Sequence, residues 1–227
     1  MSDTVMLVGC GNMGRAMLKG WMKAAPDLTA LVVEPDADLR EAAAALGAQV
    51  FAKISAVPSG AAPALIFLAV KPQVMGDVLP DYKSYDATFV SVAAGVTVES
   101  LRDGLGEDAR VIRCMPNTPA AIGLGMMVCY ATDTVSASAR SLTDRLLATS
   151  GDVAWIDRED LMDAVTAVSG SGPAYVFHLI ECLGAAGEAA GLPADLSARL
   201  ARQTVMGAGK LAAMGETDPA TLREQVT

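Results

Sequence analysis

An α/β fold with a mostly parallel sheet, followed by a smaller all-helical region, is predicted by three observations. Short β-rich apolar runs alternate with helical patterns through the first two thirds of the chain, as in strands joined by crossover helices. After Asp157 no strand pattern survives. The 227 residues are 52% hydrophobic and 19% charged, which is enough apolar material for one large or two small buried cores.

In order along the chain, residues 5–8, 31–34, 64–70, 89–93, 111–114, 126–130 and 153–156 read as strands. Between the first two, Met13, Ala16, Met17, Gly20 and Trp21 repeat at helical spacing, and the run ends before Pro26. Val135, Ala139, Leu142 and Leu146 carry the same period behind a candidate N-cap at Asp133. Residues 160–168, 173–190 and 193–214 read as helices, with Gly191 and Pro193 marking a turn. Gly207 and Gly209 would weaken the last helix unless another helix packs closely on them. The domain boundary falls near residue 160, giving domains 1–159 and 160–227. The apolar helical part is too small to cover itself, which points to a homodimer whose second copy completes a pocket beside residues 169–172.

A formal charge of −9 and a pI near 4.6 oppose nucleic acid and anionic membrane surfaces as partners. The densest apolar run, residues 61–70, contains a proline and is far too short to span a bilayer. Residues 1–7 lack a basic head and run into a glycine loop, so they fit a first strand rather than a secretion signal, and the expected compartment is cytoplasmic. Cys10, Cys114, Cys129 and Cys182 show no C-x-x-C spacing and are expected to be reduced and buried. With His178 the only histidine, no metal site is expected, and in its apolar helix His178 reads as a packed residue.

The chemistry-bearing words lie where strands end. Gly9, Cys10, Gly11, Asn12, Met13 and Gly14 follow a strand and open a helix, the context that turns a three-glycine pattern into a dinucleotide loop rather than a simple tight turn. Gly9 permits the turn, Gly11 lets a pyrophosphate reach the backbone, and Gly14 lets helix and strand pack closely. Glu34 ends the second strand, where a carboxylate accepts from the adenosine ribose hydroxyls and favours NADH over NADPH; Arg40 could reach the same place from the next helix. The plain alternative for Glu34 is an exposed turn residue before Pro35. Ala69, Val70, Lys71 and Pro72 end an apolar strand, and Ala93, Ala94 and Gly95 close the next with small side chains that leave room for a nicotinamide ribose. Lys71 could equally be a solvated lysine at a strand end, and Ala93, Ala94 and Gly95 could equally serve close packing against a helix. In Arg113-Cys114-Met115-Pro116-Asn117-Thr118-Pro119, two prolines stiffen a turn that presents Asn117 and Thr118, while Arg113 suits scaffold hydrogen bonding. Ser169-Gly170-Ser171-Gly172-Pro173-Ala174-Tyr175 interrupts helical runs with two hydroxyls and two glycines, a pattern suited to close ligand approach at a helix start. Ser169 and His178 have no third partner that would make a hydrolase triad.

The ordered words GCGNMG, LAVKPQ, VAAGV, RCMPNTPA and DAVTAVSGSGPAY resemble pyrroline-5-carboxylate reductase across nearly the whole chain. That resemblance implies a Rossmann-type dinucleotide-binding domain, a helical dimerisation domain, and reduction of 1-pyrroline-5-carboxylate to proline with NADPH or NADH, the last step of proline biosynthesis. It implies cofactor contacts at residues 9–14, 34, 69–72 and 93–95. It sets Asn117 and the Ser169 and Ser171 turn nearer the nicotinamide, and aligns Glu159 with an acidic position associated with substrate. It also implies a Ser-Pro-Gly-Gly-Thr-like loop beyond residues 224–227 that holds the substrate carboxylate. Two alternatives stand beside it: a catalytically silent dinucleotide-binding protein, and a 3-hydroxyacid dehydrogenase-like oxidoreductase, whose catalytic lysine would have to be Lys210, the only lysine after Lys83.

Overall fold

The computed structural model describes residues 3–226; Met1, Ser2 and Thr227, which belong to the first and last stretches read above, lie outside the described residues. The chain divides into two compact units, one ending at Ser171 and the other starting at Gly172.

The first unit is built on an eight-stranded sheet of order β3-β2-β1-β4-β5-β6-β7-β8. Its elements run β1 (Thr4–Val8), α1 (Asn12–Ala24), β2 (Thr29–Val33), α2 (Ala37–Ala45), β3 (Gln49–Phe51), β4 (Leu65–Leu68), the single turn α3 (Met75–Val78), β5 (Thr88–Ser91), α4 (Val98–Leu105), β6 (Arg110–Met115), β7 (Gly125–Ala131), α5 (Ala137–Leu147), β8 (Gly151–Ile156) and α6 (Met162–Val165). All neighbours pair in parallel except β6 and β7, which are antiparallel. Chain order reverses between β1 and β4, which makes their carboxyl ends the switch point where such sheets bind ligands.

β4, and β1 from Val5 onward, are apolar without interruption because both faces of the sheet are covered. Val5 and Leu7 of β1 join Met17, Leu18 and Trp21 of α1 in one core, while Met6 and Val8 join Leu79, Leu101 and Phe89 in a second. Trp21 stacks on Phe67 with ring centroids 4.6 Å apart. Each such buried side chain stabilises the fold by about 1.5–3 kcal/mol relative to exposure.

Several expectations are revised. The N-cap of α5 is Ser136, whose hydroxyl accepts from the Ala139 N–H; Asp133 lies in the preceding turn. Strand β3 was not foreseen, because three residues beginning with glutamine carry no readable alternation. The helix expected over 160–168 is a 3₁₀ turn (Glu159–Leu161), then α6, then a π turn (Thr166–Gly170).

The second unit consists of α7 (Gly172–Ala189), α8 (Ala194–Met214) and the short α9 (Pro219–Glu224). Helices α7 and α8 approach closely at Gly187, where an added Cβ would stand 2.1 Å from Ser197 Oγ. That hydroxyl donates to the Gly184 carbonyl at 2.6 Å. Among the described residues nothing beyond the local backbone of their own helix comes within 4 Å of the Cβ positions of Gly207 and Gly209, so no contact there accounts for those glycines. His178 and Cys182 were expected to be packed; both are exposed, and within its own unit the imidazole meets Glu181 and the Cys182 sulfur of the same helix. Among the described residues no helix is long and apolar enough to cross a membrane.

Candidate active site

Register aligns the sequence words on one edge. Val8 of β1 pairs with both Val33 and Leu68, Leu68 pairs with Ser91, and Ser91 with Arg113. The ladder continues one residue beyond the strands, with Gly9 N–H donating to the Val33 carbonyl at 2.9 Å and Ala69 N–H to Val8 at 2.8 Å. Gly9, Glu34 and Ala69 therefore sit side by side at the switch point.

The glycine loop shows a different steric demand at each glycine. Gly9 has φ 87°, and a Cβ there would press on Val70 and the Ala69 backbone at 2.9–3.0 Å. Gly14 passes so near the loop that a Cβ would lie only 2.4 Å from the Gly9 carbonyl oxygen. Gly11 has open space around it. It is also the N-cap of α1 and supplies no side-chain cap, whereas α2, α4 and α5 are capped by Asp36, Thr97 and Ser136. The first N–H groups of α1 are thus left for an outside acceptor, and a helix N-terminus of this kind favours an anion.

Glu34 is buried, contrary to its reading as an exposed turn residue. Its Oε2 accepts from the Cys10 N–H at 2.6 Å and its Oε1 from the Asp36 N–H at 3.0 Å. Each carboxylate oxygen keeps further acceptor capacity. Arg40 folds back so that its Nη1 donates to the Glu34 carbonyl at 2.9 Å and to the Pro35 carbonyl at 2.5 Å. Burial, with Glu34 close by, pushes the Cys10 thiol up to about 11, so it stays a neutral wall of the loop.

Along the same edge, Val70 is half-buried while Lys71 and Pro72 are exposed, Lys71 preceding a 3₁₀ turn (Pro72–Val74). Ala93 is buried, Ala94 exposed, and Gly95 turns at φ 75° with open space beside it.

Asn117 ties three segments together. Its Oδ1 accepts from the Met126 N–H at 2.9 Å, and its Nδ2 donates to the Ser169 carbonyl and hydroxyl at 3.2 and 3.3 Å. Ser169 belongs to the π turn, a rare distortion often found at functional sites. Gly170 in that turn lies under Met115, where a Cβ would meet the methionine methyl at 2.3 Å. Ser171 closes the turn through its N–H to the Thr166 carbonyl at 2.7 Å.

Glu159 makes other contacts. Its Oε1 accepts from Arg113 Nη1 at 2.6 Å and from the first N–H of α4, that of Val98, at 2.8 Å. Arg113 is buried and Glu159 partly exposed, so the pair fastens β6, α4 and the start of the 3₁₀ turn. Sequence reasoning missed the Cys10 N–H to Glu34 contact and the Arg113–Glu159 pair, since nothing in local spacing links residues so far apart.

The family model described as pyrroline-5-carboxylate reductase dimerisation matches residues 159–227, and one described as NADP oxidoreductase, coenzyme F420-dependent, matches residues 4–95. A pyrroline-5-carboxylate reductase of Pseudomonas aeruginosa is 37% identical over 98% of this chain and 83% of its own length. The chain belongs to the pyrroline-5-carboxylate reductase family. A solved structure of the Coxiella burnetii family member superposes with a TM-score of 0.90 at 30% identity, covering 100% of this chain and 86% of that one. The Plasmodium falciparum member, solved with NADP bound, gives a TM-score of 0.81 at 26% identity, covering 99% of this chain and 84% of that one. The family is one of NAD(P)-dependent oxidoreductases with a Rossmann-type domain and a helical dimerisation domain. That dimerisation model begins at residue 159, while the three-dimensional division falls after Ser171.

Proposed function

We propose that this chain reduces 1-pyrroline-5-carboxylate to L-proline with a nicotinamide dinucleotide, as a cytoplasmic homodimer. The observation that carries the reading is the uncapped start of α1 behind an open Gly11, set at the switch point of the sheet in a member of this family.

The dinucleotide, when bound, supplies hydride from its nicotinamide ring to the imine carbon, and the protonated ring nitrogen of the substrate takes the electron pair of the C=N bond. The residues bind and align. The N–H groups of Gly11, Asn12 and Met13 would hold the pyrophosphate, with Cys10 and Gly14 shaping the loop. Glu34, already fixed from two sides, would direct its remaining lone pairs to the ribose hydroxyls and repel a 2′-phosphate, which supports NADH as the preferred donor. Ala69, Val70, Lys71 and Pro72, with Ala93, Ala94 and Gly95, would form the wall along the dinucleotide. Asn117 positions Ser169, and Ser169 and Ser171 stand as the hydroxyls nearest the reaction. Glu159, expected from the family resemblance to touch substrate, supports the scaffold through Arg113 and α4 in this geometry. A reaction that starts from a protonated imine needs alignment more than a strong base, which suits a chain with one histidine.

The test is absorbance of NADH or NADPH with and without pyrroline-5-carboxylate. Substrate-dependent oxidation with proline formation supports the reading. Tight cofactor binding with no substrate-dependent oxidation would overturn it in favour of a silent dinucleotide-binding protein.

A further inference from the structure

In a chain with a net charge of −9, a cavity walled by cations and no carboxylate is out of keeping with the whole. One such cavity, of about 580 Å³, runs along the flank of α1. Asn12 and Met13 of the glycine loop form part of its wall, Arg15 and Lys19 line it, and Ala42 and Leu46 of α2 give it an apolar floor. Three further cavities, of about 590, 710 and 470 Å³, each have at least one carboxylate in the wall. Arg15 and Lys19 are exposed, and neither side chain makes a hydrogen bond or ion pair with a described residue.

Arg15 and Lys19 stand four residues apart on one helix face, so they are neighbours and repel each other mildly. Free Asp and Glu side chains are plentiful in this chain, yet none neutralises them here. Lys19 lies about 10 Å further along the axis than Asn12, at 1.5 Å per residue, so the groove extends well beyond the glycine loop. Two adjacent cations suit a phosphate dianion better than a single carboxylate, because three oxygens can be shared between a forked guanidinium and an ammonium. The volume falls within the range of small-ligand pockets and is far larger than an inorganic phosphate needs, and the alanine and leucine floor suits a flat apolar body.

We propose that this groove, which adjoins the glycine loop at Asn12 and Met13 and extends away from it to Lys19, is a second ligand site for an organic phosphate of nucleoside-monophosphate size. The inference stands on the groove itself and does not depend on the reaction proposed above.

The experiment is calorimetric titration of the full chain with AMP, and with inorganic phosphate in parallel, in the absence and presence of saturating NADH. AMP is expected to bind in both conditions, and more tightly than phosphate. An Arg15→Ala/Lys19→Ala double variant is expected to lose about tenfold or more in AMP affinity while its circular dichroism and NADH affinity stay those of the parent chain. Displacement of AMP by NADH would place AMP on the glycine loop and overturn the proposal. So would phosphate binding as tightly as AMP, an unchanged affinity in the double variant, or no AMP binding at all. If NADH itself fails to bind, AMP titration of the two free chains still decides the question.

Discussion

Glu34 holds two backbone N–H groups on opposite oxygens, one from the glycine loop and one from the turn before α2. A carboxylate fixed in this way costs little further ordering when a ligand arrives, which suits the ribose contact proposed for it. Glu34→Ser is therefore expected to weaken NADH while relieving the repulsion of a 2′-phosphate, moving the ratio of the two dissociation constants toward NADPH by about tenfold or more, the equivalent of one charge-assisted hydrogen bond. Equilibrium titration of both cofactors against both chains measures it, and an unchanged ratio would remove Glu34 from the adenosine site. Asn117 allows a sharper separation of scaffold from function. Asn117→Ala strands the Met126 N–H and should cost about 1–3 kcal/mol of stability. Asn117→Asp keeps an acceptor for Met126 but turns a carboxylate oxygen toward the Ser169 carbonyl and hydroxyl, so it should spare more of the stability and still lower kcat by at least about tenfold. Denaturant unfolding together with steady-state kinetics distinguishes the two. If both variants lose activity only in proportion to stability, Asn117 is scaffold alone.

At the scale of elements, the glycine loop makes two neighbouring glycines separable. Gly14→Ala drives a methyl group against the Gly9 carbonyl, where only backbone movement can make room, and is expected to cost at least about 2 kcal/mol of stability as well as cofactor affinity. Gly11→Ala meets no atom of the described residues within 4 Å and should leave the unfolding midpoint nearly unchanged, yet on the proposed pyrophosphate contact it is expected to lower dinucleotide affinity by about tenfold or more. Equal destabilisation by both would contradict that division. Loop and strands were legible from sequence because their signals are local: an apolar run, three glycines, then a helical period. The long-range ties were not. The carboxylate of Glu159 reaches Val98 and Arg113 across segments remote in sequence, and the π turn at Thr166–Gly170 meets Asn117 and Met115 besides making its own Ser171 N–H to Thr166 bond. A helical period in 160–168 therefore predicted a regular helix where tertiary contacts produce a broken one. β3, with three residues, was too short to carry a period at all.

For the whole molecule, the two units leave very different surfaces. The sheet unit buries most of its large apolar side chains, whereas α7 and α8 expose many of theirs, including Phe177 at 60%, Leu211 at 62% and Met214 at 76%. Gly207, Leu211 and Met214 follow each other at helical spacing on α8, and among the described residues nothing beyond the local backbone of its own helix lies against Gly207. An apolar stripe with a glycine at its head is suited to another helix at close range, in keeping with the dimerisation family matched by this region. Gly207→Leu tests that without harming one copy. Inside a single chain the leucine enters open space and improves helix propensity by about 0.8–1 kcal/mol, so helicity should be retained or rise. At the dimer contact the same side chain should cost about 1–3 kcal/mol and raise the dimer dissociation constant by about tenfold or more. Sedimentation velocity over a micromolar concentration series reads the second effect and circular dichroism the first. A parent chain that sediments as a monomer throughout, or a Gly207→Leu chain that associates as tightly as the parent, would show that the stripe is covered by something other than a second copy at this face.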